Sequence, residues 1–201
     1  MLKVGITGGI GTGKSFACNL FKLLRIPVYD ADEKAKWLCE NNPVLIQNIK
    51  KLLGDEAYTQ QGKYNRAFVS KSIFANPDLK EKLEKLIHPA VLQDSELWFD
   101  KLKKGNKYPY AIKEAALLFE SGSAHFLNKI IVVDAPVEIR MNRVQLRDNT
   151  SIENITARMK NQWPNEEKVK KADFIIFNDG IQAVIPQVVA IHKKLLALSQ
   201  N

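Results

Sequence analysis

Residues Gly8-Gly9-Ile10-Gly11-Thr12-Gly13-Lys14-Ser15 fit the pattern G-x-x-x-x-G-K-[ST] and follow directly on the apolar run Leu2–Thr7. Glycines at this spacing let the backbone turn until successive N–H groups converge, and a helix starting beside the lysine aims its positive end at the same spot. The chemistry of such a loop is to hold the phosphates of a nucleoside triphosphate, with Lys14 reaching the β- and γ-phosphates and Ser15 holding Mg²⁺. Gly11, Thr12, Gly13, Lys14, Ser15 and Phe16 are the expected nucleotide-binding residues, and Ser15 is the expected metal ligand. An accidental glycine-rich turn meets the pattern in less than about 1% of chains of this length. Requiring a strand before it and a helix after it makes the accident rarer still.

Two acids, Asp30 and Asp32, lie just beyond the apolar run Ile26–Tyr29. Ligands of open α/β sheets bind at the carboxyl ends of the strands. A carboxylate at that edge can accept the proton of an attacking hydroxyl, which makes Asp32 the expected base. For Asp30, N-capping a helix that starts at Glu33 is sufficient. A third acid, Asp134, ends the run Ile130–Asp134 in the manner of a Walker B strand, but Ala135-Pro136 brings no glutamate to activate water. Buried parallel strands often end in an acid without a metal role, and Asp134 is read that way.

Beyond that run come Arg140, Arg143, Arg147 and Arg158. Arg143 and Arg147 are four apart and share a helical face. Paired arginines shortly before a new helix suit a mobile lid that closes over a triphosphate, excludes water and stabilises charge on the transferring group. For Arg140 and Lys160 a solvated basic face is enough.

These groups need a frame. Short apolar runs at Leu2–Thr7, Ile26–Tyr29, Tyr110–Glu114, Ile130–Asp134 and Phe174–Phe177 alternate with longer periodic segments, the signature of a parallel sheet wrapped in helices. The stretch from Asp32 to Lys107 carries no strand signal and is expected to be an inserted helical lobe. Within it Asn76-Pro77 reads as a helix start, while Gly54 and Gly105 mark helix ends. Thr150-Ser151-Ile152-Glu153 reads as a capping box, so a helix is expected from there to before Pro164, and a last helix spans Ile181 to Leu198. The fold class is α/β, a P-loop NTPase three-layer fold with a mostly parallel five-stranded sheet. The expected nucleotide core is 1–31 and 108–201, the helical substrate lobe 32–107 and the lid 136–165.

With 201 residues and 45% hydrophobic composition the chain can bury one core with a lobe grown out of it. A formal charge of +8 suits an anionic partner: nucleic acid, a membrane surface or a phosphorylated metabolite. Lys and Arg are spread among Asp and Glu rather than gathered in a stripe, which disfavours nucleic acid. Cys18 and Cys39 are not in a paired spacing and are read as reduced thiols. No run approaches the roughly 18 apolar residues of a membrane span, and Met1–Ile6 is too short for a signal peptide, so a cytoplasmic location is expected.

These residues leave three readings open. The first is a small-molecule kinase, the second a GTPase-like switch and the third a nucleotide-sensing interaction protein. No N-K-x-D tetrapeptide supports guanine specificity, and a sensor leaves Asp32 and the lid arginines idle. Among kinases, a nucleoside monophosphate or another small hydroxyl compound is an alternative acceptor, since one scaffold serves many.

Along nearly its whole length the chain resembles the dephospho-coenzyme A kinase family. The resemblance runs through Gly5–Ser15, Asp30-Ala31-Asp32, Ile87-His88-Pro89, Leu117-Leu118-Phe119-Glu120-Ser121-Gly122, Arg143 to Arg147-Asp148, Gln162, Ala172-Asp173 and Asn178-Asp179-Gly180. It implies transfer of the γ-phosphoryl group of ATP to the ribose 3′-hydroxyl of dephospho-coenzyme A, with ATP and Mg²⁺ required. It implies Lys14, Asp32 and Arg143 as catalytic residues, with Asp32 the base and Arg143 a transition-state arginine. Arg147 would belong to the lid on ATP, and the helical lobe would be the coenzyme A domain. The expected partner is the small-molecule substrate, with neither nucleic acid nor membrane, in a monomer or small homo-oligomer. The chain departs from the family at Glu114 and Ala116, where Asp and Pro are common.

Overall fold

The computed structural model describes residues 1–200. A parallel sheet forms from β1 (Leu2–Thr7), β2 (Val28–Asp30), β3 (Tyr110–Glu114), β4 (Lys129–Asp134) and β5 (Phe174–Phe177), in the order β2-β3-β1-β4-β5. Strands covered on both faces read as continuous apolar runs, which is why β1, β3 and β4 are visible in the sequence. β1 is central: Ile6 pairs with Glu114 on one side and with Ile131 on the other. From β1 the chain moves to one side for β2 and β3, then to the other for β4 and β5. The loop after β1 therefore sits where the strand order reverses, the place at which open sheets bind ligands.

One face of the sheet is closed by α1 (Lys14–Leu23) and the last helix, α9 (Val184–Leu198). Val4, Ile6, Ile112, Ile131, Val133 and Ile176 meet Ala17, Cys18, Phe21, Val188, Ile191 and Leu195 in one buried cluster. On the opposite face Gly5 leaves room for Leu118 and Leu127, each of which would lie 2.7 Å from a Cβ at that position. The sheet is thus covered on both sides, in keeping with the expected fold class.

The chain separates into two compact units, Met1–Asp30 with the chain from Trp98 onward, and Ala31–Leu97. The second contains α2 (Ala31–Asn41), α3 (Pro43–Leu53), α4 (Arg66–Ala75) and the first part of α5 (Pro77–Gly105). Its small core gathers Leu38, Cys39, Leu45, Ile49, Ala57, Tyr58, Val69 and Leu83. Three of these helix starts are set by asparagines: Asn42 accepts from the Leu45 N–H, Asn65 from Phe68, and Asn76 from Asp78 and Leu79.

Several boundaries differ from expectation for identifiable reasons. Pro27 has no N–H for a ladder and Ile26 still donates to Phe21 O, so β2 begins at Val28 and takes in Asp30. Helix α2 begins at Ala31 rather than Glu33, which puts Asp32 inside its first turn instead of at a cap. Pro89 lies within α5, which runs through His88-Pro89 without breaking. Asn106, not Gly105, takes the left-handed conformation after α5. The cap of α7 (Ile152–Lys160) is Ser151, not Thr150: it accepts from the Asn154 N–H, which puts Glu153 at the second helical position, so the expected capping box does not form. Asp179 accepts the Ile181 and Gln182 N–H groups in a turn that delays α9 to Val184. Among the described residues no helix is long and apolar enough to cross a membrane.

Candidate active site

The phosphate loop fills the turn from β1 into α1. Gly13 is left-handed at φ +91, and a Cβ there would lie 2.2 Å from Asn178 Nδ2. Gly11, at φ +81, would meet the Arg140 carbonyl at 2.4 Å. Both positions demand glycine for backbone conformation; at Gly11 the Arg140 backbone also leaves no space for a Cβ, and at Gly13 a Cβ would displace the Asn178 amide.

Polar side chains from distant segments hold the loop in shape. The Ile10 N–H donates to Gln162 Oε1 at 2.9 Å, and the Gly9 N–H donates to Asn165 Oδ1 at 2.8 Å. In the other direction, Arg140 Nε donates to Ile10 O and Asn178 Nδ2 to Thr12 O. Thr12 is fully buried, its hydroxyl turned back onto Gly9 O, and Lys14 Nζ donates to Gly8 O at 3.0 Å.

Arg140 corrects the sequence reading. It is 5% exposed rather than solvated, and burial pulls its guanidinium below its ordinary pKa while Asp134 and Glu166 oppose that shift. A guanidinium packed against Gly9, with its own backbone against Gly11, reads in sequence like any helical arginine, because its partners are some 130 residues away. Asp134 Oδ1 accepts from Asn165 Nδ2 at 2.5 Å, so this acid orients the residue that holds Gly9.

A cavity of about 170 Å³ opens against the loop, lined by Gly11, Gly13, Lys14, Ser15, Arg143, Val144 and Arg147. Its lining carries three cationic side chains and no carboxylate, at the positive end of α1, a setting for a polyphosphate. Arg143 and Arg147 come from α6 (Val137–Asp148). Arg143 donates from Nη1 to Asn178 O and from Nη2 to Asn178 Oδ1. Arg147 forks onto Asp148, which also accepts from Arg158 of α7. The two arginines hold the Asp148 carboxyl well below the usual carboxylate range, joining the end of α6 to α7.

Ser15 Oγ donates to Glu114 Oε1 at 3.2 Å, and Glu114 is buried at the end of β3. Cys18 lies near the same carboxylate: burial first, then the Glu114 charge, push its thiol far above the ordinary value and keep it protonated. Ala116, the other departure from the family pattern, offers its carbonyl to Thr7 Oγ1 and to Lys168 Nζ.

The structure thus brings Lys14, Ser15, Arg143 and Arg147 to one cavity with Gly11 and Gly13. Phe16 is 51% exposed and does not line it, though its N–H donates to Gly13 O. Asp32 belongs to the other compact unit, two residues past the end of β2. Asn165 was missed outright by sequence reasoning, and Gln162 and Asn178 were noticed only as matching residues without a task.

The sequence model described as dephospho-CoA kinase matches residues 2–183. A dephospho-CoA kinase of Bacteroides fragilis is 36% identical over 189 residues, covering 93% of this chain and 89% of the relative. One from Porphyromonas gingivalis is 37% identical over 192 residues, covering 95% of this chain and 93% of the relative. In three dimensions the solved dephospho-CoA kinase of Campylobacter jejuni superposes with a TM-score of 0.72 at 28% identity, covering 97% of each chain. A family match over residues 2–183, with relatives 36–37% identical along nearly the whole of both chains, means that the chain belongs to the dephospho-CoA kinase family.

Proposed function

We propose that the protein transfers the γ-phosphoryl group of ATP to the ribose 3′-hydroxyl of dephospho-coenzyme A, giving coenzyme A and ADP. The observation that carries this reading is the three-cation cavity at the phosphate loop in a chain matched by the family model over residues 2–183. Lys14 binds the β- and γ-phosphates, and Arg143 and Arg147 neutralise charge around the transferring group. Gly11, Thr12, Gly13, Ser15 and Phe16 complete the nucleotide site as loop and first helical turn. Asp32 accepts the ribose proton, and the Ala31–Leu97 unit receives the acceptor. The α6–α7 segment acts as the lid. The enzyme works in the cytoplasm as a monomer or small homo-oligomer.

Mg²⁺ fits the residues present. The Ser15 hydroxyl and the Glu114 carboxylate are hard oxygen donors 3.2 Å apart beside the phosphate loop. No cluster of three or more His, Cys, Asp or Glu residues suited to a metal occurs among the described residues, so the ion's remaining ligands would be nucleotide phosphates and water. Bound there, it supplies positive charge to the phosphates during transfer. Glu114 orients the Ser15 hydroxyl. Glu114→Gln should raise the Mg²⁺ concentration needed for half-maximal nucleotide binding by about 10-fold or more, read by titrating Mg²⁺ against a fluorescent ATP analogue. An unchanged titration together with unchanged activity removes Glu114 from the metal site.

The test of the reaction is ADP release from ATP with Mg²⁺ and one acceptor at a time: dephospho-coenzyme A, adenosine monophosphate or water, with products identified by mass spectrometry. Coenzyme A formed in the first mixture alone is the expected result. ADP with water alone favours a switch, and transfer to adenosine monophosphate keeps the phosphate site while overturning the acceptor.

A further inference from the structure

We propose that Asn178 is a positioning residue that fixes Arg143 relative to the phosphate loop, so that loop and arginine address the nucleotide as one unit. The inference rests on the role proposed above for Arg143. Asn178 follows β5 directly, and its own N–H donates to Asp134 O at 2.8 Å, continuing the β4–β5 pairing by one residue. Its backbone is therefore anchored to the sheet, not to the loop.

From that anchor the residue reaches in two directions. Its amide nitrogen donates to Thr12 O at 2.8 Å, while its carbonyl and Oδ1 accept from Nη1 and Nη2 of Arg143 at 3.0 and 3.2 Å. The amide has only one workable orientation, since Thr12 O can only accept and a guanidinium can only donate. Two acceptors on a single residue fix the plane of the guanidinium as well as its place. Of the five donors of an arginine this engages two, leaving three to be aimed elsewhere. The absence of a side chain at Gly13 is what lets the amide in, because a Cβ there would lie 2.2 Å from Asn178 Nδ2. The second glycine of the phosphate motif thus serves the arginine as well as the phosphates.

A bracing residue and a positioning residue differ in what happens once the arginine is gone. The experiment is a double-mutant cycle with Asn178→Ala and Arg143→Ala, reading kcat and KM for ATP in all four proteins. Asn178→Ala alone should lower kcat/KM for ATP by about 10- to 100-fold, the scale of misplacing a charged group by about an ångström. In the Arg143→Ala background the same change should cost less than about threefold, because the group it positions is already absent. A full-sized Asn178 effect in that background shows that the residue only braces Thr12 and overturns the inference, as does an Asn178→Ala enzyme with unaltered kinetics. An Arg143→Ala enzyme with unaltered kinetics removes instead the role proposed for Arg143, and this inference with it. Thermal unfolding followed by circular dichroism checks that each variant folds. Should Asn178→Ala not fold, Asn178→Gln keeps the amide chemistry but displaces it by one methylene, and the same cycle is read with it.

Discussion

Asp32→Asn is expected to lower turnover about 10²- to 10⁴-fold, the usual contribution of a general base, while the dissociation constant for ATP stays unchanged. The amide has nearly the shape of the carboxylate but cannot take a proton from an attacking hydroxyl. Placement is what makes this acid the candidate: β2 ends at Asp30 and α2 begins at Ala31, so Asp32 sits in the first helical turn beyond a strand's carboxyl end. The same placement separates kinetics from stability. A negative charge in a first turn helps its helix by only about 0.3–1 kcal/mol, and Glu33 remains beside it to interact with the helix dipole. A rapid-quench single turnover, combined with direct titration of ATP, reads the two effects apart. Normal turnover in Asp32→Asn would falsify the base assignment, and a loss confined to ATP affinity would make Asp32 a binding residue.

Legibility in the sequence followed locality. The phosphate loop, the strand before it and the helix after it are contiguous, and all stand where the motif requires. β1, β3 and β5 matched their apolar runs to the residue: most of β1 and all of β3 are buried, and the edge strand β5 is apolar up to its exposed end at Phe177. β2 was displaced because Pro27 breaks the ladder without breaking the apolar run. Thr150 and Ser151 are adjacent hydroxyl residues and either can cap a helix; the spacing to Glu153 favours Thr150, but the backbone makes the extended Ser151 the cap.

The braces of the loop were not legible, for a different reason. Gln162, Asn165 and Asn178 bond to loop residues roughly 150 or more positions earlier, and no periodicity or spacing ties an amide to a partner at that distance. Arg140 shows the cost of reading charge by type. Spacing put Arg143 and Arg147 on one helical face, and the structure puts both on the cavity. It also turns Arg140, one turn earlier on α6, into the loop itself.

The same remote bracing yields the largest expected effect on stability. Lys168 of α8 (Asn165–Lys170) is completely buried, and its ammonium pairs with Glu120 Oε1 at 2.8 Å and donates to Ala116 O at 2.9 Å. Glu120 Oε1 also accepts the Trp163 N–H, while Glu120 Oε2 is buried with no hydrogen-bond partner among the described residues. Lys168→Met therefore leaves a largely buried carboxylate with a single neutral donor, and breaking such a pair from one side costs about 3–5 kcal/mol. For a chain of this size that corresponds to a fall in Tm of about 6 to 20 °C, measured by calorimetry. The double variant Lys168→Met with Glu120→Gln should recover a good part of the loss, because no buried charge is left without its partner. The damage should also reach the site, since Asn165 on the same short helix holds the Gly9 N–H, and loosening α8 should raise KM for ATP without touching a residue of the cavity. An unchanged Tm in Lys168→Met would mean that the pair contributes nothing in solution. A lowered Tm with unchanged KM would mean that α8 stabilises its packing on β4 without tuning the loop.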